Sequence, residues 1–569
     1  MRKVTTHTRN GEGWTARAIP DILLGAGPAP RQDFAPLLMS LRSAFLLGLL
    51  SLSGASEKLC AADWPQQLGP ERNGTTDGAG LAASWKEGRL PVVWQVNTGF
   101  GGAPPVCVTQ RVYTFGLFKP GTPEGSLLQP GSSPSLPEII AGTFSAGDLP
   151  GTPDRIKIAE YPLAFRGDLY ALCLDANSGR QLWATRLTDY GLAFKTSKHS
   201  GTAWELASPL FAEGRLYFHS HTGHLYSLDG ASGRLLWDVN LFAHEMSTWY
   251  GGQQGNSCAP LFVAGKVLVS YEGEKGRRTV SAFHAANGER IWLTQTPLVG
   301  MNVRTARLGF ASLEGQATVL CSGGSGTAGL DPETGKIRWS FDVIEANPKT
   351  RKEVPPEFMV SAKGAKDYRV DAMRIPFPGY APVAWQDYVV DAACVGHNAV
   401  TSSTWCLKIE GGRATPVWQT NEFVPLSASL KANLVAREGR LYGFDSYFPG
   451  FIREYTVTRP YRGEKVGEFQ CREIASGKLL WSTDAFNPEP PSAKRVDSSG
   501  TFFFAGDKLV VTNQAGLWLA QMEAAGVKIL ARGPGGTPAL AEGRLFLRQL
   551  TAAPGSEGNL MCVDLRGRP

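Results

Sequence analysis

The segment from Leu225 to Trp237 (Leu-Tyr-Ser-Leu-Asp-Gly-Ala-Ser-Gly-Arg-Leu-Leu-Trp) sets the terms on which this chain can fold. It reads as strand, tight turn, strand: Tyr226 and Leu228 alternate with smaller neighbours, and Asp229 opens a turn. Gly233 stands where such a turn needs a positive φ, which glycine adopts without a Cβ penalty. Asp229 and Ser232 can bond the turn's own backbone. Leu235, Trp237 and Val239 then share one face of the returning strand. An isolated hairpin is marginal in water and cannot bury a tryptophan alone, so the segment requires neighbours of its own kind.

The chain supplies them. Asp, three residues, Gly, three residues, Trp recurs as Asp175/Gly179/Trp183, Asp229/Gly233/Trp237 and Asp331/Gly335/Trp339, with near copies His284/Gly288/Trp292 and Glu473/Gly477/Trp481. Two copies are weaker: Gly412 precedes Trp418 after two extra residues, and Gly526 is followed by Leu530 in place of Trp. A strand without its hairpin mate, Val93–Val96, stands near the start, and the missing mate, Leu560–Gly567, stands at the end. Joining them makes eight hairpins.

A second repeat runs in step. Gly214-Arg-Leu-Tyr217 has counterparts beginning at Gln110, Gly265, Gly439, Gly506 and Gly543, with degenerate copies at Gly315 and Gln386. Pro105, Pro209, Pro260, Pro382 and Pro538 lie about five residues ahead of their copies. Two repeats agreeing on eight predict an all-β chain: an eight-bladed β-propeller of four-stranded antiparallel blades, closed by N- and C-terminal strands. Kelch and WD40 propellers share the period, but only Trp237-Asp238 gives a WD dipeptide here.

The Asp-x-x-Ser/Thr-Gly-x-x-x-Trp signature resembles the PQQ-like (quinoprotein-type) β-propeller repeat over about residues 63–569. That resemblance implies eight blades with each signature Trp docked on the adjacent blade. It does not by itself imply an activity, because the family includes dehydrogenases and non-catalytic scaffolds. The likeness is nearest to the non-catalytic outer-membrane protein assembly type.

Length fits a closed ring, and the 66 Gly and 38 Pro fit many short strands and turns. The formal charge of +6 is shared between the first 62 residues (seven basic, four acidic) and the remainder (50 basic, 47 acidic). So balanced a surface carries no basic footprint for nucleic acid. Residues 1–38 show no periodicity and read as a gene-model extension or a disordered tail. Residues 39–62 read as a signal peptide: Arg42, the apolar run Ala44–Leu52 (too short to span a bilayer), then Cys60-Ala-Ala62. The mature chain is then expected to begin near Asp63, in the periplasm or secreted. Glu57 and Lys58 spoil the positions a lipid anchor at Cys60 would need. Insertions are expected at 119–166, 344–379 and 446–467.

Cys173, Cys406, Cys471 and Cys562 occupy one repeat position, just before the turn, and read as small buried side chains; a Cys394–Cys406 bridge within one blade is the alternative. A quinoprotein dehydrogenase of the resembled family implies PQQ with calcium, a vicinal disulfide, a Trp floor, Glu and Asn metal ligands and an Asp base. No two cysteines are adjacent here and no calcium ligand is placed by motif. Accordingly no catalytic, cofactor or metal residue is assigned. The loops entering the innermost strands converge at one end of a propeller channel, and they carry His199, Trp204, Trp249, Tyr250, Gln253, Asn256, Asn302, Arg304, Lys431 and Asn433. Aromatics with amides and cations suit an envelope protein, a peptide or a glycan; the plain alternative is that they plug the channel. The expectation is a monomeric exported binding or assembly scaffold, with an exported PQQ-dependent oxidoreductase as the alternative.

Overall fold

Each Gly-Arg-Leu-Tyr repeat proves to be a two-residue reverse turn feeding a strand. At Glu213–Gly214 φ is 50° and 72°, at Ala264–Gly265 48° and 71°, at Glu314–Gly315 49° and 73°, at Glu438–Gly439 53° and 73°, and at Glu542–Gly543 49° and 70°. Positive φ at both central residues is the turn whose twist matches that of two antiparallel strands, so these five copies join an innermost strand to its neighbour; at Gln386 and Gly506 only the first turn residue has positive φ. Where a proline precedes, the innermost strand starts beside it, as at Val106–Val108, Leu210–Ala212, Leu261–Val263 and Val383–Trp385; proline is tolerated there because the strand has not yet begun to donate.

The computed structural model describes the chain from Asp63 to Arg566 apart from residues 79, 86–87, 102, 131, 133–163, 193–206, 221–222, 242–257, 274–276, 300–307, 324, 344–375, 379–380, 396–402, 421–432, 446–467, 487–499, 513–515 and 550–557. The leader therefore lies outside the described residues. Eight antiparallel blades form the ring within one compact unit, Leu59–Pro569. Blades 1 to 7 span 106–192, 210–240, 261–299, 308–342, 376–420, 435–483 and 501–533; blade 8 combines 537–564 with Val92–Asn97. In blade 5 the innermost position is shared by Pro376–Pro378 and Val383–Trp385, both paired to Tyr388–Val395. Blade 7 carries an extra parallel pairing, Thr75–Thr76 on Phe504–Ala505. Of the expected insertions, 446–467 lies outside the described residues, as does most of 119–166 and 344–379; described strands begin at Ala164 and Pro376.

The Asp turn presents its carbonyls to the preceding blade. Asp229 Oδ1 accepts from the Ser232 amide at 2.7 Å and the Ser232 hydroxyl at 2.6 Å, and the Gly233 amide donates to the Asp229 carbonyl at 2.8 Å. Against this turn packs Trp183 of blade 1: a Cβ on Gly233 would lie 2.5 Å from its ring. The same reading at Gly179, Gly288, Gly335 and Gly477 gives 2.5 to 2.8 Å from Trp94, Trp237, Trp292 and Trp418. Each indole N–H donates to a carbonyl of that turn: Trp94 to Ala176 at 3.0 Å, Trp183 to Gly230 at 3.2 Å, Trp237 to Ala285 at 3.0 Å, Trp292 to Pro332 at 3.2 Å and Trp418 to Ile474 at 2.6 Å. The second repeat aims at the same place. Arg215 and Tyr217 reach the Ala285 carbonyl at 2.7 and 3.2 Å, and Arg111 and Tyr113 reach that of Gly230 at 3.4 and 3.1 Å.

Every signature Trp stands opposite a small residue on its own hairpin. Cys173, Cys406, Cys471 and Cys562 face Trp183, Trp418, Trp481 and Trp94; Ser227, Ala282 and Gly329 do the same for Trp237, Trp292 and Trp339. Cys406 is a free buried thiol paired across strands with Val390 on one side and Trp418 on the other; the Cys394 side chain of the alternative bridge lies outside the described residues. Burial is less complete than the repeat implies: Trp292, Trp339 and Trp481 are buried, whereas Trp94, Trp183, Trp237 and Trp418 keep an exposed edge.

Closure uses this same contact. Val92–Asn97 pairs antiparallel with Asn559–Asp564, and Trp94 docks on blade 1 as above. Arg544 donates to Asn177 across that seam. At the far end of the closing strand the fully buried Arg548 donates to the carbonyls of Gly558, Thr98 and Gly99. A Cβ at Gly558 would overlap the Gly99 carbonyl, so the two chain ends meet this closely only because that position is glycine.

Trp237→Ala is expected to destabilise the protein by about 3 kcal/mol, the lower part of the range for large-to-small core changes, because part of the ring is already in solvent. Chemical denaturation measures it; an unchanged midpoint would contradict the assigned register.

Candidate functional site

The segment between the leader and the closing strand lies across the channel and builds the best-defined site among the described residues. Trp64 pairs with Cys107 on the innermost strand of blade 1, its amide donating to that carbonyl at 2.6 Å and its carbonyl accepting at 2.9 Å. The Trp64 ring is 2% exposed, lies 4.7 Å from the Phe503 ring of blade 7, and is covered by Gly69, where a Cβ would come within 3.1 Å. The Asp63 carboxylate accepts from the Thr109 amide at 2.9 Å, and the Pro65 carbonyl from the Phe211 amide of blade 2 at 2.7 Å.

Next comes Arg72, held at φ 54°. Its guanidinium donates to the carbonyls of Ala259 at 2.9 Å and Pro260 at 2.8 Å in blade 3 and Leu308 at 2.9 Å in blade 4. Ala259 and Pro260 lead into the innermost strand of blade 3 and Leu308 opens that of blade 4, where carbonyls unpaired in the sheet need a donor; a rigid fork of five N–H groups serves three of them at once. Beyond Arg72 the chain passes blade 6, where a Cβ on Gly74 would meet Val435, and then adds Thr75–Thr76 as a short strand to blade 7. The stretch Asp63–Thr76 thus touches blades 1, 2, 3, 4, 6 and 7.

Of the candidate mouth residues, His199, Trp204, Trp249, Tyr250, Asn256, Asn302, Arg304 and Lys431 (and Gln253 beside them) lie outside the described residues, as does the proposed meeting of Trp204, Trp249, His199 and Arg304. Asn433 is described and is 2% exposed. Its amide exchanges two bonds of 2.9 Å with the Phe502 backbone, tying blade 6 to blade 7, so its polar atoms are engaged inside the protein. Trp64 and Arg72 were not singled out from the sequence. The Gly69, Gly74 and Gly78 around Arg72 were the available signal, all at positive φ.

Titratable groups in the described interior are kept neutral or walled in. Burial pushes His219 down to about 3, and its Nδ1 accepts from the Cys258 amide at 3.2 Å, so it stays uncharged. Burial pushes the Cys258 and Cys321 thiols up to about 11 and about 12. Among the described residues no three His, Cys, Asp or Glu side chains converge as a metal site.

The repeats of this chain are similar to the PQQ-like propeller repeat. Residues 167–364 match the family model described as outer membrane protein assembly factor BamB. The chain is 25% identical over 212 residues to the outer membrane protein assembly factor BamB of Moranella endobia (strain PCIT), covering 30% of this chain and 52% of that one. It is 30% identical over 146 residues to the dehydrogenase subunit of the quinone alcohol dehydrogenase of Gluconobacter oxydans (strain 621H), covering 23% of this chain and 18% of that one. It therefore spans about half the length of the first relative and under a fifth of the second. Among solved structures, the quinohemoprotein alcohol dehydrogenase from Comamonas testosteroni aligns at a TM-score of 0.49 and 13% identity, over 89% of this chain and 81% of that one.

Arg72→Met is expected to lower stability by roughly 1.5–3 kcal/mol, the scale of hydrogen bonds made by a charged group. A urea midpoint unchanged within error would mean the segment lies on the ring without contributing to it.

Proposed function

We propose that this protein is an exported, non-catalytic β-propeller that acts as a monomeric binding or assembly scaffold in the cell envelope, with an envelope protein, a peptide or a glycan as its partner. The observation that carries this reading is the segment across the channel. A ligand held at that level would have to displace Trp64 from Phe503 and strip three carbonyls of the Arg72 guanidinium. The longer of the two sequence likenesses, to an assembly factor, points the same way. No helix among the described residues is long and apolar enough to cross a membrane. Partner contacts are assigned to the mouth loops, with Trp249 and Trp204 as apolar anchors and Arg304 as a fork for a carboxylate or phosphate.

The second reading, an exported PQQ-dependent oxidoreductase, has in its favour the 30% identity to a quinone alcohol dehydrogenase subunit. Two observations on the described residues speak for the first reading over a quinone bound with calcium at the level of the opening segment. The one aromatic side chain that the opening segment brings to the channel wall, Trp64, is packed shut, and the fully buried Asp391 is enclosed between two blades.

Gel filtration of the purified protein with PQQ and calcium separates the two readings. The scaffold reading expects no quinone absorbance in the protein peak and no dye reduction with alcohols; a stoichiometric quinone band with alcohol oxidation would establish the second. N-terminal sequencing of protein accumulated from the full-length chain checks export: a start near Asp63 is expected, and Met1 or Met39 would remove that claim.

A further inference from the structure

The seam between blades 4 and 5 departs from those with a tryptophan over a glycine turn. Blade 5 lacks the Asp turn; its outer hairpin turns over Gly411 and Gly412, with Glu410 paired directly to Arg413. This turn offers amide donors where the others offer carbonyls. Trp339 accordingly lies over Gly329 of its own hairpin, and Glu314 of blade 4 accepts from the Gly411 and Gly412 amides at 2.6 and 3.0 Å. Deeper in the seam, the indole of Trp405 (blade 5), fully buried, donates to the Thr327 hydroxyl of blade 4 at 2.9 Å. Thr327 in turn donates to Asp391 Oδ2 of blade 5 at 2.7 Å, and Asp391 Oδ1 accepts from the Ala392 amide at 2.8 Å.

We propose that the Trp405–Thr327–Asp391 chain makes the blade 4–blade 5 seam a proton-sensitive joint, tight while the Asp391 carboxyl holds its proton and loosened when it ionises. The carboxyl is fully buried, receives the Thr327 hydroxyl and the Ala392 amide with the Ser322 hydroxyl beside it, and has no cationic partner among the described residues. A carboxylate so placed has lost its water without gaining a counter-charge. The titratable group facing it from the second strand of blade 4 is the Cys321 thiol, which burial keeps neutral; Arg278 of blade 3 lies beyond Cys321 and acts on that thiol. Ser322 faces it from that same strand, and Thr327 and Trp405 from the other packed strands; none of these titrates.

Burial pushes the Asp391 carboxyl up to about 7. Its folded value is thus raised above the unfolded one, and opening releases a proton between the two values. Stability from this group is full below about pH 4, falls as pH rises toward about 7, and is level above that. His219, held low by burial, contributes with the opposite sign at mildly acid pH, so the readout must be local to the seam.

Hydrogen exchange of the full chain, corrected for intrinsic rates, reads it on peptides covering Gly326–Leu330 and Ser403–Glu410, with Glu468–Glu473 as the control. Protection at the seam is expected to drop about tenfold between about pH 6 and about pH 8 in the wild type, and not at the control strand. Asp391→Asn, which copies the protonated form, should abolish the drop; Thr327→Val, which removes the donor that favours the ionised form, should move its midpoint to lower pH only if the joint is something other than proposed, and to higher pH if it is as proposed. Equal wild-type protection at both pH values overturns the proposal, as does a drop that survives in Asp391→Asn. Should Asp391→Asn not fold, the wild-type pair and the direction of the Thr327→Val shift decide.

Discussion

A tryptophan of one blade lying over a glycine of the next is the contact on which the ring depends. It joins two requirements that neither residue meets alone. The Asp turn needs a left-handed glycine, and the absence of a Cβ there leaves a flat place that an indole covers. The indole's N–H then meets a turn carbonyl that would otherwise lose its water, joined in blades 1 and 2 by an arginine and a tyrosine from the second repeat. Apolar burial and hydrogen-bond satisfaction fall on the same few atoms, so the blade-to-blade angle is set once and repeated.

The contact appears where the following blade has its glycine turn and changes where it does not. Trp481 precedes blade 7, whose outer hairpin lacks that turn, and its indole N–H has no acceptor among the described residues; it is packed instead among Tyr442 and Phe469. Blade 7 has no signature Trp of its own, and Trp85, ahead of the closing strand, joins the apolar cluster of Leu517, Leu519 and Ala531. At blade 5 the donors and acceptors exchange places, and carboxylates take over from guanidinium and indole. Such seams are where a ring can differ in stability from one side to the other.

Blade number, hairpin register and the joining of the two chain ends were legible because they rest on local chemistry: glycine at positive φ, an Asx-type turn, alternation along a strand. The small residues facing each Trp were legible for the same reason, as Cys173 and Cys562 illustrate. The channel was not. Trp64 and Arg72 act on strands that lie 43 to 439 positions away, from Cys107 to Phe503, and no periodicity announces such partners. Asn433 could be seen as a polar residue near an innermost strand, but its engagement with Phe502 depends on the neighbouring blade. The extra two residues before Trp418 were visible; that they reverse the polarity of a seam follows only from the Glu314 side chain opposite them.

The account's central claim is that the two ends of the chain are locked together by the contact used inside the ring. Native-state hydrogen exchange of Trp94 and Val96 tests it most directly. If closure is as strong as the interior seams, these amides exchange with the same opening free energy as those of Asn559–Asp564 and of the blade 1 hairpin, by unfolding of the ring as a unit. Exchange of Val92–Asn97 through a separate, low-energy opening, with blades 1 and 8 still protected, would contradict it.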